Sequence, residues 1–165
     1  MESIRYDLNL LCTKMKILQN TVADTEKLFN AGMAYLQAGE YAFAYFCFSR
    51  IKKDVSTLYN MALCSYSIAW FRECHELLHE AEREIPAGTD CRLRDLPEMF
   101  LCWEREHISA FSPMPQDAPV PLAAVQVLML EAEVAYRLKL YGEVRRIASR
   151  LGGYKRIDEL IKEIK

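Results

Sequence analysis

The sequence predicts an all-α protein: an α-solenoid of stacked antiparallel helix pairs, with about three repeats plus N- and C-terminal capping helices. Three observations predict it. Gly and Pro are scarce, at six each in 165 residues, and β-branched runs are absent. Apolar residues recur at helical spacing nearly throughout. Most tellingly, three segments share one register. Leu28, Gly32, Tyr41, Ala44, Phe48 and Ile51 align with Leu58, Ala62, Phe71, Cys74, Leu78 and Ala81, and again with Leu128, Ala132, Tyr141, Val144, Ala148 and Leu151. Each set has a small residue after the leading Leu, then an aromatic, then three apolar positions at identical offsets.

Taken in order, residues 1–23 predict an N-terminal helix. Ile4, Leu8, Leu11, Met15, Leu18 and Val22 make one apolar stripe, spaced as a coiled-coil seam requires. It suits either a solenoid cap or a homodimer contact. The first repeat spans 25–54 and the second 55–86, a 30-residue step that leaves the first with a clipped second helix. Residues 87–124 are a diverged repeat or an insertion. Asp95 with Glu98 forms a capping box there, opening a helix through Phe100, Trp103, His107 and Ile108. The run Ser112 to Pro121 (SPMPQDAPVP) cannot continue a helix and predicts an extended surface loop. The third repeat spans 125–151 and is stopped by Gly152 and Gly153. In 154–165, Ile157, Leu160, Ile161 and Ile164 form an amphipathic closing helix.

At these residues the chain resembles the tetratricopeptide repeat family. Leu28-x₂-Ala31-Gly32-x₂-Tyr35 followed by Ala44-x₃-Phe48, with Gly39 in the turn, fits its W-x₂-L-G-x₂-Y…A-x₃-F…P signature, apart from the leading Trp. Small residues at Gly32, Ala62 and Ala132 let paired helices approach closely, while Tyr41, Phe71 and Tyr141 fill the space between pairs. The resemblance implies a concave face lined by Phe29, Asn30, Met33, Leu36, Tyr59, Asn60, Leu63, Tyr66, Met129, Glu133 and Tyr136. Asn30 and Asn60 match the family's carboxylate clamp. Its basic positions hold Phe29, Tyr59 and Met33, so the implied groove is apolar and takes a peptide or helix from a protein partner. The same residues could instead be covered by the chain's own N-terminal helix or Pro-rich loop.

The remaining chemistry narrows the choice. Net charge is −2, from 21 basic and 23 acidic residues without a basic block, which argues against nucleic acid and an anionic membrane surface. Val55 to Phe71 has no charge, but Ser56, Thr57, Asn60, Ser65 and Ser67 suit a buried helix better than hydrocarbon. The N-terminus has no secretory pattern, and six Cys without a CxxC pair predict free thiols in a reducing cytoplasm. His75-Glu76-Leu77-Leu78-His79 matches H-E-x-x-H, the zinc-peptidase helix. Against that, Glu73, Glu80 and Glu82 crowd it. Glu98, Glu106 and His107 are third ligands only by nearness in sequence, and Leu78 belongs to the repeat register. Two solvated histidines, no metal and no cofactor are the expectation. The predicted function is therefore a non-enzymatic adaptor, with a secretion or assembly chaperone as alternative and a zinc peptidase as a distant third.

Overall fold

The computed structural model describes residues 22–91 and 110–164. The predicted N-terminal stripe up to Leu18, the Asp95/Glu98 box and the helix through Trp103 lie outside them. Helix α1 (Val22–Gln37) pairs with α2 (Tyr41–Ser49), α3 (Val55–Ser67) with α4 (Phe71–Glu84), and α5 (Val120–Arg137) with α6 (Tyr141–Leu151). A closing helix, α7 (Lys155–Glu163), follows. Among the described residues there is no strand, and no helix long and apolar enough to cross a membrane.

The three hairpins turn in the same way. Gly39, Ala69 and Lys139 each adopt positive φ (78°, 62° and 62°). In each, the next residue's N–H returns to a carbonyl five residues back: Glu40 to Tyr35, Trp70 to Ser65 and Leu140 to Ala135, at 2.8–2.9 Å. These bonds satisfy carbonyls that the first helix of each pair would otherwise leave open. The second helix is shortest in the first hairpin, nine residues against 14 in the second, as the repeat spacing predicts. Asp54 caps α3 by accepting from the Thr57 amide at 2.8 Å.

Packing follows the predicted register. Ala44, Cys74 and Val144 are fully buried, as are Phe48 with Leu78, and Leu58 with Leu128. Burying each large apolar side chain contributes about 1.5–3 kcal/mol. Gly32 permits the closest approach: a Cβ there would meet the Phe48 ring at 2.8 Å. Equivalent positions hold Ala62 with Leu78 and Ala132 with Ala148, so a smaller first partner accompanies a larger second one. Tyr41 and Phe71 are half-buried as expected, but Tyr141 is exposed because only the short α7 follows its hairpin. Each hairpin packs on the next, α2 against α3 and α4 against α5.

Three expectations need correction. Val22 belongs to α1 rather than to a separate N-terminal helix. The third repeat starts at Val120, before residue 125, because Pro121 falls in the first helical turn, where no intrahelical N–H is needed. The Pro-rich run is not a surface loop throughout: Met114 is fully buried. Gly152 and Gly153 end α6, Gly153 with φ 94°, and Ile157 and Leu160 bury the inner face of α7 as predicted.

Candidate functional site

The inner face of α3 carries the site. This helix is apolar on nearly every side, and residues Ser56 through Ser65 are all buried. Its polar side chains therefore need partners inside the protein. Ser65 and Ser67 bond carbonyls of their own helix, whereas Ser56, Tyr59 and Asn60 reach the backbone of residues 110–116. Asn60 bonds Met114 in both directions: its Nδ2 donates to the Met114 carbonyl at 2.8 Å, and its Oδ1 accepts from the Met114 N–H at 2.9 Å. The Tyr59 hydroxyl donates to the carbonyls of Ala110 (2.8 Å) and Ser112 (3.1 Å). Ser56 Oγ donates to Pro115 O at 2.9 Å, and Gln126 Nε2, from α5, to Ser112 O at 3.3 Å.

Every partner on the segment is a main-chain group. Four side chains on two helices thus hold the stretch through its main chain, while Met114 buries its side chain and Phe111 packs on Tyr66, as in a peptide-binding groove. The prolines suit the role. Pro113 and Pro115 have no N–H to leave unsatisfied, so Met114 supplies the inward donor between them. Burial of Tyr59 drives its hydroxyl far above the ordinary phenol range, which keeps it a neutral donor to two carbonyls.

Beyond Phe111 the groove is open. A cleft of about 490 Å³ lies between Leu36, Tyr41, Leu63, Tyr66, Phe111 and Pro113. Tyr66 packs against Phe111 with ring centroids 5.2 Å apart, while Phe111 keeps half its surface in solvent.

The structure sorts the residues expected to line the concave face. Tyr59 and Asn60 hold the segment, and Leu36, Leu63 and Tyr66 line the open cleft. Met33 bridges the two hairpins through a 3.5 Å contact of its sulfur with Asn60 Nδ2. Phe29 turns into the core, edge-to-face with Phe48 at 5.4 Å, and Asn30 is exposed. In the third hairpin Met129 is buried and Glu133 is held by Arg156 of α7, whose Nη2 lies 3.0 Å from Glu133 Oε2. Tyr136 sits beside Tyr141 and the Glu163 carboxylate. That end of the face is occupied by the closing helix.

Sequence reasoning missed Ser56, Gln126 and Met114 as members of the site. The polar residues of the uncharged stretch were the available signal, since each had to bond something. A second cluster was also missed. The HELLH histidines are not solvated: on α4 they face Glu143 of α6 and Glu131 of α5. Glu131 and Glu133 are buried carboxylates within the apolar run Leu122–Ala135, a legible signal of a polar seam. Burial, then the neighbouring Glu82, pushes the Glu131 carboxyl well above the usual range. No family model, curated protein or solved structure matches the chain, so its function has to be argued from these side chains.

Proposed function

We propose that the protein is an interaction module of tetratricopeptide type that grips an extended polypeptide segment by its main chain. Its own residues 110–116 hold the inner groove in the absence of a partner, and a cytoplasmic protein partner replaces or extends them. The observation that carries this reading is the reciprocal bonding of Asn60 with Met114, flanked by donors from Ser56, Tyr59 and Gln126 on the carbonyls of Pro115, Ala110 and Ser112. The open cleft beside Phe111 supports it, because it leaves apolar surface for a longer ligand to cover. Four buried free thiols, Cys47, Cys64, Cys74 and Cys91, suit a reducing compartment.

The test replaces residues 110–118 by a Gly/Ser linker of equal length and adds a fluorescent peptide of sequence AFSPMPQDA. Saturable binding by anisotropy is expected, roughly 5- to 150-fold weaker when Asn60→Ala is added, since the two buried hydrogen bonds it removes are together worth about 1–3 kcal/mol. The unaltered chain should bind the peptide far less well. Absence of binding to the linker variant, with its helical circular dichroism intact, would refute the reading.

A further inference from the structure

We infer that His75, His79 and Glu143 form a zinc-class metal site that staples the second hairpin to the third. The two histidines stand one turn apart on α4 with their Nε2 atoms 3.2 Å from each other. Glu143, two residues into α6, places Oε2 at 2.7 Å from His75 Nε2 and Oε1 at 3.7 Å from His79 Nε2. Ligands about 2.0–2.2 Å from a tetrahedral zinc lie roughly 3.3 Å apart, and these separations bracket that value. The rings meet edge to face, at 85° with centroids 4.4 Å apart, and the three ligand atoms all lie within 4.8 Å of one another.

An independent observation points to the same place. Glu131 is completely buried, and its Oε2 has no hydrogen-bond partner. Its Oε1 lies 3.8 Å from His79 Nε2 and 2.7 Å from Arg146 Nη2. A buried carboxylate oxygen left without a donor costs about 1–3 kcal/mol or more. A divalent ion between His75, His79 and Glu143 would take up the facing lone pairs of these three side chains, with the Glu131 carboxylate beside His79.

The ligand set identifies the class of ion. Two imidazole nitrogens and a carboxylate favour zinc and its transition-metal neighbours over magnesium or calcium, which take oxygen ligands. The surroundings also fit. Arg146 bridges Glu131 and Glu82, and Arg150 holds Glu82 at 2.7 Å, so the acidic groups behind the histidines are fixed in place. His75 and His79 are only 18% and 33% exposed at their side chains, so the site is shielded yet reachable. Glu76, the residue that would activate water in a zinc peptidase, is exposed. The site therefore reads as structural, tying α4 to α6 beside Glu131 of α5.

The test uses tag-free full-length protein dialysed against chelator, then titrated with zinc sulfate by calorimetry and checked by elemental analysis. One equivalent should bind, and the thermal midpoint should rise with zinc concentration. Cobalt should give the absorption bands of a tetrahedral nitrogen–oxygen site. His75→Ala with His79→Ala should abolish binding, Glu143→Gln should weaken it by about 100-fold, and Glu131→Gln by about tenfold. No stoichiometric zinc in the unaltered chain would overturn the inference. So would binding that survives the double histidine variant, which would place the ion on other residues.

Discussion

At the residue scale, Gly32 shows how a single side chain sets the distance between helices. A methyl group there has nowhere to go but into the buried Phe48 ring, so Gly32→Ala should destabilise the chain by about 1–3 kcal/mol in urea unfolding. Adding Phe48→Leu, which imports the larger-smaller balance of Ala62 with Leu78, should recover part of that loss. This position was legible, because a small residue four after a leading Leu recurs in all three sets. Phe29 was not. It lies beside Asn30 in the chain, but adjacent helical residues point about 100° apart, and Phe29 turns to Phe48 while Asn30 faces solvent. Asn60 was singled out through the resemblance, and its partner is the Met114 backbone of the same chain.

At the scale of elements, the three turns offer a controlled comparison. All adopt the left-handed conformation at the same position, yet only the first uses Gly. An L-residue with a side chain pays roughly 1–2 kcal/mol there. Lys139→Gly and Ala69→Gly should each raise stability by about 1 kcal/mol, and Gly39→Ala should lower it by a similar amount, all measured by chemical denaturation. Equal effects at the three sites would confirm that the turns are one motif repeated. The helices themselves were readable from register because helical periodicity is dense in this chain, whereas the starts of α1 and α5 were not. The Pro-rich segment was readable only as non-helical. Met114 is one apolar residue among prolines, and an isolated residue carries no periodicity to say which way it faces.

At the scale of the whole molecule, what the sequence could not disclose is contact between distant residues. Asn60 meets Met114 across 54 positions and His75 meets Glu143 across 68; no local pattern encodes either pairing. Both arise because consecutive hairpins stack and residues 110–116 lie against α3 and α5. The central claim is that this segment occupies the groove as a releasable ligand, while the helices hold without it. Hydrogen exchange at the Met114 amide tests that most directly, since Pro113 and Pro115 on either side have no amide to confuse the signal. Under native conditions Met114 should be protected yet exchange distinctly faster than Leu63 of α3, through a local opening. Exchange of Met114 and Leu63 at one common rate, through global unfolding alone, would make the segment a fixed part of the core and contradict the account.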